Sequence, residues 1–158
     1  RRPDRMADTG CLASDEIRSY NEAYVHDLLE TYPQITGFRP DWPEYPCYKL
    51  DEAFQDFNPK VKVWAERECF DFEAIKSDVN TFYAYLHGRL KNQDLTDLFG
   101  PNRGKTDFVV YLKKYPRILE WLTLKTALSN DLIRHWRKII TKYGGSDKVL
   151  SVKSAVPC

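Results

Sequence analysis

The residues with the most chemistry to offer are four cysteines, Cys11, Cys47, Cys69 and Cys158. Their gaps are 36, 22 and 89 residues, so none forms a CxxC pair or a Cys–His pair with zinc-finger spacing. An even number of widely spaced cysteines beside a single Met fits a disulfide framework in an oxidising compartment. Four cysteines allow three connectivities; Cys47–Cys69 with Cys11–Cys158 is the preferred one, because a terminal cysteine then pins back the tail that carries it. Four reduced thiols in a cytosolic protein are the competing reading.

Catalytic groupings are absent by motif. His26, His87 and His135 are scattered, and no two share the i, i+4 spacing that places two metal ligands on one helix face. No nucleophile elbow and no dinucleotide fingerprint occurs. The segment Gly100–Lys105 has the composition of a phosphate loop but lacks its glycine spacing, and reads as a turn. Glu66 and Glu68, or Asp71 and Glu73 beside Cys69, are candidate acid pairs. Acids at a helix start more simply favour the helix dipole. The expectation is a chain with no catalytic, metal or cofactor residues.

Binding chemistry is better represented. Residues 1–102 hold 12 Lys/Arg against 19 Asp/Glu, a net of −7, and residues 103–158 hold 12 against 4, a net of +8. Arg134, Arg137 and Lys138 flank Trp136, which makes a basic helix with an aromatic anchor. Such a helix suits an acidic patch on a partner protein better than nucleic acid or anionic lipid, since no RNA- or DNA-binding motif accompanies it and the pI is only about 7.8. A second candidate surface is the aromatic, proline-rich segment with Phe38, Trp42 and Tyr45, where rings of the kind that anchor interfaces are concentrated.

The elements that must position these residues are helices. Ser14 caps a helix begun by Asp15 and Glu16, in which Ile17, Tyr20, Tyr24, Leu28 and Tyr32 recur at helical spacing until Pro33. Pro33, Gly37, Pro40, Pro43 and Pro46 make a long loop. Leu50, Ala53, Phe54 and Phe57 predict a short helix ending at Asn58-Pro59, and residues 60–64 alternate as an extended segment or open a helix. Phe72, Ile75, Val79, Phe82, Leu86 and Leu90 mark the strongest helix, over 71–91. A shorter one holds Leu95, Leu98 and Phe99. A run with Phe108, Leu112 and Tyr115 must break at Pro116. A buried helix over 118–124 follows, then a last helix capped by Asn130-Asp131, carrying Leu132, Trp136, Ile139 and Tyr143 and closed by Gly144-Gly145.

The fold class is therefore all-α: an irregular, disulfide-stapled bundle of five to seven helices with one long Pro/aromatic loop. Residues 1–12 read as a flexible arm, 13–158 as one helical domain, and 146–158 as its extended tail. No apolar run reaches a membrane span. The opening Arg1-Arg2-Pro3-Asp4-Arg5, with neither Met nor an apolar stretch, suits a mature chain freed of its signal or a trimmed one. Phe108, Tyr111 and Tyr115 at i, i+3 and i+7 resemble in spacing the helical WY module of oomycete effectors. A Tyr replaces that module's Trp, its Arg-x-Leu-Arg motif is absent and its members lack such cysteines, so the chain is assigned to no family on these residues. The expectation is a secreted, non-enzymatic protein-binding domain, such as a virulence effector or a cytokine-like ligand. The alternatives are a small secreted hydrolase or mutase, which requires a polar cleft, and a carrier of an apolar ligand, which requires a closed apolar cavity.

Overall fold

The computed structural model describes residues 11–40, 54, 56–99 and 112–152. Helices dominate them: α1 (Asp15–Thr31), α2 (Pro59–Arg67), α3 (Phe72–Gly88), α4 (Asn92–Phe99) and α5 (Arg117–Gly144), with a helical stretch at 112–114 before α5. Two short strands, β1 (Gly37–Phe38) and β2 (Val149–Leu150), pair in parallel. The chain's contacts divide it into two compact units, one made of Arg1–Trp64 and Lys125–Cys158, the other of Ala65–Leu124.

In the first unit, α1 begins as its sequence dictates. The Ser14 hydroxyl accepts from the Ile17 N–H, and Asp15 and Glu16 occupy the first turn, where negative charge offsets the exposed amide dipoles. The core packs Val25 and Leu29 of α1 against Ile139 and Ile140 of α5, with Ile35, Phe38, Tyr143 and Leu150 closing over it. The strand pair ties this cap together. Thr36 O accepts from the Val149 N–H at 2.9 Å, and Phe38 O accepts from the Ser151 N–H at 3.0 Å. Gly37 is required for the approach, since a Cβ there would stand 2.5 Å from the Val149 carbonyl oxygen.

In the second unit, Phe72, Ile75 and Val79 of α3 are buried together with Tyr115, Ile118, Trp121 and Leu124, and the Phe82 and Tyr115 rings meet at 5.0 Å. Asp71 caps α3 by accepting from the Ala74 N–H at 3.1 Å. Pro116 interrupts the helical path as its missing N–H and fixed φ require. Beyond it the Arg117 N–H, an orphan of the helix start, donates to Asp78 of α3 at 3.1 Å.

The turn from α2 to α3 explains three of the acidic candidates and one cysteine. The Phe70 N–H donates to Ala65 O at 2.9 Å and the Cys69 N–H to Glu66 O at 3.1 Å, while Cys69 has φ +65°. These are the two bonds of a Schellman cap, with cysteine in the left-handed position that glycine usually fills. Asp71 is a cap, Glu73 lies in the first turn of α3 and Glu68 pairs with Arg67 at 3.1 Å.

Several expectations are corrected. The stapling is not present at either cysteine that the structure describes: Cys11 and Cys69 are free thiols, Cys69 exposed on its cap and Cys11 half-buried. Cys47 and Cys158 lie outside the described residues. Of the two readings left for residues 60–64 the helical one holds, because α2 buries Val61, Trp64 and Ala65 at i, i+3 and i+4 and leaves Val63 outside. Pro59 is the first residue of that helix, a position where its missing N–H costs nothing. Asn130-Asp131 does not cap a new helix. α5 runs unbroken for 28 residues, and Asp131 is a tertiary acceptor instead. The tail, expected to be extended from 146, turns over 146–148 before 149–150 form a strand, and 153–158 lie outside the described residues. The helix predicted around Leu50–Phe57 falls mostly outside the described residues, as do Phe108 and Tyr111.

Candidate interaction surface

The apolar-looking stripe of α1 faces the solvent. At 3.6 residues per turn, Tyr20, Tyr24, Asp27 and Thr31 (i, i+4, i+7, i+11) form one straight row, and all four are exposed. Tyr20 is 66% and Tyr24 54% accessible, and Tyr32, just past the helix, 49%. The Tyr20 and Tyr24 rings stack nearly parallel, with centroids 6.3 Å apart and 7° between planes. Ile17 and Leu28, half-buried, flank the row on one side. Glu16 and Glu30, exposed, lie on the other.

The inward face holds the opposite chemistry. Val25 and Leu29 are joined there by two charged residues, Arg18 and Glu22. Both are satisfied. The Arg18 guanidinium donates to Asp131 Oδ2 at 2.8 Å and, through Nε and an Nη, to Leu12 O at 3.1 Å. Asp131 also accepts from the Trp64 indole N–H at 3.2 Å, and the Arg18 carbonyl lies 3.2 Å from His135 Nε2. Glu22 Oε1 accepts from Lys142 Nζ and from the Tyr143 hydroxyl, each at 2.8 Å. Those donors hold the Glu22 carboxyl below its ordinary range, and the Lys142 ammonium is raised by the same carboxylate and by Tyr143. Lys142 also stands 4.7 Å from the centre of the Tyr143 ring. Burial of a charged residue is tolerable when each polar atom is paired, which is why α1 can turn this face inward.

Charge on the outward side is one-sided. Arg18 is the only Lys or Arg of α1 and points inward. At the helix start Lys60 pairs with Glu16, whose carboxyl is held down to about 2 by that hydrogen bond and by the Ser14 hydroxyl. His26 lies 3.4 Å from Glu30 and packs its ring on Tyr143. Among the described residues no Lys or Arg pairs with Asp27 or Glu30 on this face. The face is aromatic in the middle and acidic at the rim.

The residues that the sequence nominated are placed elsewhere. Phe38 packs onto the core of the first unit. Arg137 donates to the Lys148 carbonyl at 2.7 Å and to Thr141 Oγ1 at 3.3 Å, and so helps hold the strand that follows α5. Trp136 is half-buried, and its indole N–H is buried with no acceptor among the described residues. Arg134 and Lys138, one turn apart on α5, are exposed; the basic surface expected around Trp136 narrows to these two. Trp42 and Tyr45 lie outside the described residues. No group of His, Cys, Asp and Glu among the described residues could hold a metal ion. Cys11 is chemically quiet, since burial and the nearby Asp56 carboxylate push its thiol up to about 11.

No family model, curated protein or solved structure matches this chain. Its function must be read from its own surfaces.

Tyr20 and Tyr24 are visible in the sequence as members of a helical stripe, not as a surface. The signal that separates them from a core stripe is their type. Three of the five positions in that stripe are tyrosines, each with a hydroxyl that burial would have to satisfy, while Val25 and Leu29 on the other side carry none.

Proposed function

We propose that this protein is a non-enzymatic binding domain that engages another protein through the outward face of α1. The observation that carries the reading is the exposure of Tyr20 and Tyr24 along one side of a well-capped helix, with Tyr32 exposed just past its end. Large amphipathic rings are held there at low conformational cost, and tyrosine is among the residues that dominate binding energy in protein interfaces. Secretion, in the manner of a virulence effector or a cytokine-like ligand, belongs to the proposal and is supported by the single Met, while the free thiols of Cys11 and Cys69 add nothing to it. Arg134 and Lys138 supply a second, smaller contact suited to an acidic patch on the partner.

The test is a selection from a random peptide library displayed on phage, run in parallel on the wild type and on a Tyr20→Ala/Tyr24→Ala variant. A consensus enriched by the wild type and lost on the variant is the expected result. Enrichment that ignores the two tyrosines, or no enrichment, overturns the assignment of this face. The extracellular setting is tested separately, by intact mass after alkylation with and without reduction. Two disulfides in the native protein support secretion, and four free thiols remove that part of the proposal.

A further inference from the structure

We infer that the partner presented to α1 is a basic amphipathic helix, with arginine or lysine over the tyrosine rings and apolar side chains along Ile17 and Leu28. This rests on the reading of that face as the contact surface and adds the chemistry of what it takes. Three observations carry it. Asp27 in the row and Glu30 beside it lack a Lys or Arg partner among the described residues, and the helix's own Arg18 is turned inward to Asp131. A surface of this charge repels phosphates, which excludes nucleic acid and anionic lipid from it. The stacked Tyr20 and Tyr24 rings, 6.3 Å apart, offer electron-rich faces of the kind that attract a cation.

The third observation is internal. On the inward side of α1 the molecule completes a trio of carboxylate, cation and tyrosine ring: Glu22, Lys142 and Tyr143, with the ammonium 2.8 Å from the carboxylate and 4.7 Å from the ring centre. A cation is likewise placed over Tyr85 by Lys114, at 5.1 Å. The outward face repeats two members of the trio, carboxylate and ring, and among the described residues no Lys or Arg supplies the third. From Tyr20 to Thr31 the row is straight and about 16 Å long at the rise of an α-helix, which matches about three turns of a second helix laid along it.

The probe is a fluorescein-labelled peptide of about 16 residues with arginine on one helical face and leucine on the next, stapled to hold its helix. Its twin carries glutamate in place of every arginine. Anisotropy titrations use the wild type, Tyr20→Ala/Tyr24→Ala and Asp27→Lys/Glu30→Lys; all four positions are exposed, and matching thermal melts confirm that the variants fold. The expected result is binding of the arginine peptide that weakens between about 50 and 500 mM salt, at least about tenfold weaker binding to each variant, and no binding of the twin. Equal affinity for the charge-reversed variant overturns the inference. So does preferential binding of the glutamate twin; if that binding still needs Tyr20 and Tyr24, the face stands as the contact surface and only its partner's chemistry is wrong. Concentration-dependent self-association of the protein alone in sedimentation, abolished by Tyr20→Ala/Tyr24→Ala, makes the occupant a second copy and likewise overturns it.

Discussion

α1 and α3 are both 17 residues long, both capped by a side chain at the start, and both marked by large hydrophobic residues at helical spacing. In α3 the marked stripe is the buried one: Phe72, Ile75 and Val79 are covered almost completely. In α1 the marked stripe is outside, and the buried face pairs two aliphatics with an arginine and a glutamate. The difference lies in what each face can find. The α3 stripe needs only apolar neighbours. The inward face of α1 is held by Val25 and Leu29 together with charge partners more than 100 residues away in sequence, Asp131, Lys142 and Tyr143. Periodicity locates a helix and its two sides; which side is buried depends on partners that periodicity does not see.

The comparison can be broken most directly by truncation. Ile75→Ala in α3 should cost about 2–5 kcal/mol of unfolding free energy in urea, as cavities under fully buried side chains do. Tyr20→Ala/Tyr24→Ala should change it by no more than about 0.5 kcal/mol. A large loss from the tyrosine pair would show that the face is covered in solution. Next in size is Asp131→Ala, which removes the acceptor of both the Arg18 guanidinium and the Trp64 indole. A loss of about 1.5–3 kcal/mol is expected, with the loss from Arg18→Ala not additive to it in a double-mutant cycle.

A gain is expected at the end of α2. Cys69→Gly relieves a left-handed backbone in a cap that glycine fits, and should stabilise by about 1 kcal/mol in the same denaturation assay. The smallest effect concerns acid. Glu16 and Glu22 are held below their ordinary pKa in the folded state, so the stability they contribute is complete above the unfolded carboxylate value and is lost as pH falls toward 2. Thermal midpoints measured from pH 6 to 2 should fall, and Glu16→Gln should flatten the decline slightly, since that side chain is exposed and screened.

What could be read from the sequence followed local rules. Ser14 as a cap, a helix opening at about Asp71, the break at Pro116 and the end at Gly144-Gly145 all depend on a few neighbouring residues, and the structure has each of them. Gly145 takes φ +88° and donates its N–H to Thr141 O at 3.1 Å, as a helix C-terminus requires. What was not legible depended on distance. Asp131 has the type and position of a cap, and only the arrival of Arg18 and Trp64 makes it an acceptor inside a longer helix. Arg137 reads as a surface cation until Lys148 offers a carbonyl. The tyrosine face was legible as a stripe but not as a surface, because the satisfaction of Arg18 and Glu22 on the other side cannot be inferred from α1 alone.

The parallel pairing of Gly37 with Val149 has a consequence for how the chain comes to be folded. The second unit is one continuous stretch, Ala65–Leu124, whereas the first is assembled from two segments on either side of it. On the ribosome, residues 65–124 can emerge and begin to pack while α1 and β1, made earlier, still lack the part of α5 from Lys125 onward and β2. During that interval Val25, Leu29 and Phe38 have no core to join, and the open edge of β1 is exposed to other chains. Closing so long a loop is slow relative to local helix formation. The early-made half of the first unit is therefore the part of the nascent chain that most needs protection, and the last dozen described residues are what ends that need.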